Sequence, residues 1–425
     1  MFVVSILVLI YVGLVYVRPQ EYVLALQDFP ILPVFMMGSV GVWLFQPNKS
    51  FEASQHWLLP VLMFAMALSV AASGWLGGSL ITITEFSPIV ALFYLISTST
   101  DTLAKHRMFM STLAILTLVL ALHGIDQIET GVGWSGAQVI EGRITYLGVF
   151  NDPNDLALAF VVALPMIGYS ISESKRFIGK VFWSSIFAIV LYGIYLTNSR
   201  GGMLGAIALF ILYFHTRYGT FRTSIITVIG LMALSLLPTR LDELDAGEAS
   251  AAGRVDAWFE GIQLFLSKPI LGVGKGLFHE HNRLTAHNSF VLAFAELGLV
   301  GYFFWLAFAG LSVYMVYKIS TTSADQVGKP LAEEKAEWDE YRKIARTYLY
   351  TMLGFFSCAF FLSRSYNILL FILCALCVAL YQSARGRWPQ FASIQFGGIA
   401  GRIFAFEIGS IVFMFILVKI LLLLG

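Results

Sequence analysis

Three short polar stretches interrupt an otherwise apolar chain, and each carries a residue suited to holding an anion or moving a proton. The first, Thr197-Asn198-Ser199-Arg200-Gly201-Gly202, places an arginine and two glycines at a tight turn into a helix. Free backbone N–H groups, the positive end of a helix dipole and a guanidinium together suit a phosphate-like anion. An arginine that snorkels from a helix end to a membrane interface fits the same residues. In the second stretch, residues 253–265, positions Val255, Trp258, Phe259, Ile262 and Phe265 share one helical face, and Pro269 ends the run. That pattern predicts an amphipathic helix lying on a membrane surface. Arg254 falls at its start, where the helix dipole disfavours a cation, so an anionic partner is expected. Either a ligand or the acidic run Asp242-Glu243-Leu244-Asp245 could supply it.

The third stretch, Leu284–Phe290, brings His287 to the entrance of a long apolar run. Imidazole titrates near neutral pH and suits a general base; a plain hydrogen-bonded interfacial histidine is the simpler alternative. His279 and His281 lie nearby, but H-E-H lacks the i, i+4 spacing of a zinc-binding H-E-x-x-H. Glu296 falls inside the apolar run, where an acid is a functional candidate by default and a structural hydrogen bond is the alternative. Leu271–Gly276 is glycine-rich around Lys275 but does not match G-x-x-x-x-G-K-[ST], so no nucleotide site is expected there. Asp152-Pro153-Asn154-Asp155 reads as a helix start, with Asp152 as N-cap and Pro153 at the first helical position.

The elements that must position these residues are membrane helices. The chain has 425 residues, 58% hydrophobic and only 12% charged, with mean hydropathy +0.78. Soluble domains carry about 25% charged residues, so lipid must cover this surface. A net charge of +1 gives no basic field for nucleic acid. Thirteen apolar runs are candidate spans, near 2–17, 29–45, 57–73, 80–97, 108–123, 155–171, 180–197, 201–215, 222–238, 288–317, 346–363, 366–382 and 402–424. The first is taken as an anchor helix; the last either spans or lies in the interface. Cys358, Cys374 and Cys377 sit in such runs and read as packing residues. The expected fold is therefore all-α, a single integral membrane domain over 1–425 with about 12–13 transmembrane helices.

Lysine and arginine concentrate in loops after even-numbered runs, which places those loops in the cytoplasm. Segment 318–345 is then cytoplasmic, a solvated helix with Asp339 and Lys343 at i, i+4. The longest connection, 239–287, is then outside and carries amphipathic helices. All three polar stretches meet on that outer side.

The order FNDPNDLA (150–157), TNSRGG (197–202), GRVDAWFEGIQLF (253–265), KPILGVGKGLF (268–278), AHNSFV (286–291) and AELGLVG (295–301) resembles the O-antigen ligase and polymerase superfamily, over roughly residues 145–305. The resemblance implies a GT-C-type glycosyltransferase of the bacterial inner membrane with its active site facing the periplasm. It implies an undecaprenyl-diphosphate-linked glycan as donor and an acceptor hydroxyl, on lipid A-core in the ligases. Relatives polymerise repeat units or glycosylate protein. Arg200 and Arg254 then match the diphosphate-binding arginines and His287 the catalytic base, with Asn288, Glu296 and His281 as supporting candidates. No D-x-D motif is found and no metal or cofactor is expected, although Asp242, Glu243 and Asp245, or Asp152 and Asp155, could hold a cation; one base with one displacement implies inversion at the anomeric carbon. A transporter or flippase is the competing class. It would call for ionisable or helix-breaking residues at mid-membrane, often in paired repeats. Here the candidates gather at one interface, and no internal repeat is found.

Overall fold

The computed structural model describes residues 2–27, 29–234, 244–282, 285–328 and 332–424, without the side chains of Phe2, 229–234, 244–252 and Leu424. The described residues form fourteen α-helices: α1 (Phe2–Val17), α2 (Ile31–Leu44), α3 (Gln55–Ala72), α4 (Leu76–Ser99), α5 (Leu103–Thr130), α6 (Pro153–Glu173), α7 (Phe177–Thr197), α8 (Arg200–Leu234), α9 (Leu244–Ser267), α10 (Phe278–His281), α11 (Ser289–Thr321), α12 (Ala332–Ala359), α13 (Ile368–Arg387) and α14 (Ala400–Leu424). Eight are long and apolar enough to cross a bilayer, and α1 and α2 are shorter apolar helices. The fold is a polytopic helical bundle, as its composition requires. Each expected apolar run lies in a helix; the end of the ninth, beyond Leu234, lies outside the described residues.

Burial divides the bundle. The helices α6, α11 and α13 are mostly buried, while α7 and α14 expose most of their apolar surface. Lipid solvates such a surface as well as another helix would, so apolar residues can face outward here.

Two expectations about elements need correction. Runs eight and nine fall, as expected, on two helical stretches of α8 divided at Gly219, whose φ of 77° and ψ of 172° suit only a residue without Cβ. The charged 318–345 segment is not a separate helix, because α12 starts at Ala332 and continues into the eleventh run. Within it Lys343 pairs with Glu173 on α6 (2.8 Å), whereas Asp339 pairs with Arg342 (2.9 Å) rather than with Lys343. Finally, α9 begins at Leu244, so Arg254 lies well inside the helix and the dipole argument for its partner does not hold.

The long run 288–317 is broken rather than simply tilted. Gly298 in α11 has φ 61° and ψ −167°. The carbonyls of Ala295 and Glu296 accept from Val273 N and Gly274 N (both 3.0 Å), and Leu299 N donates to Pro269 O (2.8 Å). Broken backbone is tolerated at membrane depth only when protein groups satisfy it. A Cβ on Gly272 would lie 2.3 Å from the Glu296 carbonyl carbon, and one on Gly298 2.5 Å from that of Ile270. The glycines of the Leu271–Gly276 run therefore serve this backbone-to-backbone contact.

Connections gather at two ends. At one, Arg107 meets Glu340, Lys343 meets Glu173, Arg387 meets Glu337 and Gln382 meets Ser50. These segments are the ones rich in lysine and arginine. The opposite end holds the three polar stretches.

Candidate active site at one end of the bundle

The site is assembled on the start of α6, the α7–α8 turn, α9, and two segments clamped together before α11 and after α12. Asp152 caps α6 in extended conformation, its carboxylate accepting from Asn154 N (2.7 Å), with Pro153 next in the first turn. This is the helix start read from the sequence. The Asn154 side-chain oxygen accepts from Ser199 Oγ (2.7 Å) and from Arg143 Nη2 (3.1 Å). Arg143 Nε also donates to Thr197 O (2.9 Å), so the α7–α8 turn is fixed against the start of α6.

Asn198 closes α7 in the left-handed region, φ 47°. Ser199 Oγ then accepts from Gly202 N (3.1 Å), capping α8. A Cβ on Gly202 would lie 2.5 Å from Ala157 Cβ, so the second glycine lets α8 start against α6. Arg200 is thereby the first residue of α8, at its positive end.

Arg254 projects from α9, which turns Ala257, Trp258, Ile262, Leu264 and Phe265 into the protein. Phe259, expected on that face, is 42% exposed. Burial first, and then the charge of Arg200, lower the Arg254 pKa, so the two guanidinium groups stand within electrostatic reach of each other. The acidic run 242–245, the alternative partner for Arg254, has no described side chains.

His287 has φ 48°, the left-handed region that non-glycine residues seldom occupy. It is held there from both sides. Asn288 next to it caps α11, its side-chain oxygen accepting from Phe290 N (2.9 Å) and Val291 N (3.1 Å). Ser289 Oγ donates to Leu362 O (2.6 Å) and accepts from Arg364 N (2.8 Å), while Ser365 Oγ donates to Ser289 O (2.6 Å). Trp305 Nε1 pins Ser365 O from below (2.8 Å), and Thr285 and Ser363 join through their hydroxyls. Burial first, and then the Arg254 charge, lower the His287 pKa; Asp152 opposes this and Arg364 adds to it. The imidazole is thus biased to its neutral, proton-accepting form.

Arg364 is the residue the sequence reading missed. Its guanidinium grips both carboxylate oxygens of Asp155, with Nη2 2.5 Å from Oδ2, and Nη1 donates to Ser363 O (2.9 Å). Asp155 reads from the sequence as a first-turn acid or, with Asp152, a cation holder, and a lone arginine between two apolar runs gives no signal of this pairing. Arg143 was missed for the same reason.

The supporting candidates separate. Asn288 is buried and spends its side chain on the α11 cap. Glu296 is buried as well, and its Oε1 accepts from Phe278 N (3.3 Å), tying the glycine-rich segment to α11. His281 is exposed at the end of the short α10.

Arg200, Arg254 and His287, far apart in sequence, therefore share one charged neighbourhood with Asp152 and the Arg364–Asp155 pair. A half-buried cluster with more cations than acids, next to a neutral imidazole, is suited to binding a polyanion and accepting a proton beside it. These features define a polytopic helical membrane protein with a cluster of charged residues at one end. Residues 185–306, which contain Arg200, Arg254, His287 and Glu296, match the family described as O-antigen ligase. The resemblance to the O-antigen ligase superfamily holds over that stretch. No curated protein matches the chain.

Proposed function

We propose that this protein is a periplasm-facing glycosyltransferase of the bacterial inner membrane. It moves a glycan from undecaprenyl diphosphate to an acceptor hydroxyl, as an O-antigen ligase does when it loads lipid A-core. The observation that carries the reading is that Arg254 stands within electrostatic reach of both Arg200 and His287, residues from three separate segments at one end of the bundle.

In the reaction, the acceptor hydroxyl attacks the anomeric carbon as the bond to the diphosphate oxygen breaks. The electron pair of that bond leaves on the diphosphate, and the hydroxyl proton passes to His287. A sugar hydroxyl ionises far above neutral pH, so the base must stand within about 3 Å of it in the reactive pose. Positive charge builds at the anomeric carbon, as in other glycosyl transfers. Negative charge builds on the departing diphosphate, where Arg200 and Arg254 stabilise it without reorganising. The N–H groups at the start of α8 add to that stabilisation. One displacement gives inversion, and two guanidinium groups take the part a metal plays elsewhere.

The acceptor decides between ligation and polymerisation of repeat units, and one cell experiment separates them. Deletion of the protein should leave uncapped lipid A-core together with glycan still on its lipid carrier. Accumulation of short glycan chains on otherwise capped core would instead make it a polymerase.

A further inference from the structure

The helices α7 and α8 meet at the Asn198–Ser199 turn and part below it. Glycines draw the first turns of α8 away from α7: a Cβ on Gly205 would lie 2.4 Å from Cys358 Sγ on α12. Toward the opposite end of the bundle, a cavity of about 450 Å³ opens between α6, α7, α8 and α12. Leu164, Phe187, Leu209, Phe210 and Phe214 make its wall apolar. Its rim is polar, with Lys343, Arg346 and Tyr350, whose hydroxyl bonds Thr216 Oγ1 at 2.9 Å.

The charges at this rim do not balance. Lys343 is engaged by Glu173 (2.8 Å) and Glu340 (3.6 Å), and Arg107 also takes Glu340 (3.1 Å). Arg346, one turn further into the bundle, is exposed, and among the described residues no carboxylate pairs with it. The flanking elements add exposed Lys175 and Arg176 between α6 and α7, Lys180 on α7, and Arg217 and Arg222 on α8. A cationic rim over an apolar cleft between membrane helices matches the two parts of an anionic lipid.

We propose that this groove is a binding site for an anionic phospholipid, with its phosphodiester on Arg346 and one acyl chain between α7 and α8. From Ser172 to Leu164 the cavity reaches about 12 Å along α6, at 1.5 Å per residue, so the head stays at the interface while the chain enters. Its volume falls in the range of built ligand sites, about 300–1,000 Å³. A zwitterionic lipid would bring its own cation against this collar, which favours the anionic head. The groove lies at the end away from Arg200 and His287, so the inference stands apart from the glycosyl-transfer reading.

Native mass spectrometry of the purified full-length protein tests it, with phosphatidylglycerol and phosphatidylcholine of identical chains titrated separately. The wild type should retain one phosphatidylglycerol in preference to phosphatidylcholine, and Arg346→Gln should weaken that retention by about tenfold, the effect of losing one charge-assisted contact. Leu209→Trp, which fills the groove, should weaken both lipids equally. Thermal melts check that each variant is folded; Arg346 is exposed, so its variant should melt as the wild type does. Equal retention of the two lipids by the wild type would overturn the proposal, as would unchanged retention in Arg346→Gln. Displacement of the lipid by glycerol phosphate alone would mean an anion site without a chain groove, and overturn it too.

Discussion

Arg364 and Asp155 form a two-pronged ion pair between the loop after α12 and the first turn of α6, and the loop it anchors also bonds Ser289, two residues from His287. The pair thus couples the position of the imidazole to the α6 start, against which the arginine-bearing turn is packed. Asp155 is only 4% exposed and Arg364 30%, so neither charge is left to water alone. Removing one partner of a buried pair costs about 3–5 kcal/mol, because the other charge stays buried without compensation. Asp155→Asn should therefore lower the melting temperature and glycan transfer together. Asp155→Asn with Arg364→Gln should recover stability relative to the worse single variant while transfer stays low. A double-variant cycle with additive melting effects would show that the pair is not coupled.

The arginines should be sensitive to shape as well as charge. Lysine keeps the positive charge but loses the planar fork that meets two phosphate oxygens at once. Arg200→Lys and Arg254→Lys should each cut transfer strongly at normal protein levels, measured with a purified lipid-diphosphate donor. Wild-type rates in either would remove that arginine from the diphosphate site. The same assay should keep its rate in excess EDTA, because the side chains of Asp152 and Asp155 are engaged by Asn154 N and Arg364. Loss of activity restored by Mg²⁺ or Mn²⁺ would mean that a cation shares the load.

Orientation can be read in cells. The lysine- and arginine-rich segments share one end of the bundle, so a single assignment fixes both ends. Alkaline phosphatase fused near residue 250 should be active, and fused near residue 330 inactive. The reverse pattern would put the arginines and His287 in the cytoplasm, away from any periplasmic glycan.

Much of this arrangement is legible in the chain because bilayer thickness imposes a length on every apolar run, and each expected run lies in a helix. The Asp152 cap and the helix start at Arg200 are legible too, since caps depend on adjacent residues. What sequence periodicity could not show is that a helix begins ahead of its apolar face, as α9 does. Nor could it show a pair set by packing of distant segments, such as Arg364 with Asp155. A local pattern carries no information about contacts some two hundred residues apart in the chain.

The sharpest prediction concerns His287. General-base catalysis typically contributes roughly 10²–10⁴-fold, so His287→Ala should lower transfer by about that range. Donor binding, which rests on Arg200 and Arg254, should largely survive. His281→Ala should be milder, because His281 is exposed on α10. The base works only when neutral, so transfer should fall as pH drops through the His287 pKa. Burial, Arg254 and Arg364 hold that pKa below its ordinary 6.5, which puts the acidic limb of the pH–rate profile below that value. Among the described residues, the Asp152 charge raises it. Asp152→Asn keeps a competent helix cap but removes the anion, so the limb should move to still lower pH. A limb that stays in place in Asp152→Asn, or a wild-type rate in His287→Ala, would assign the proton to another acceptor.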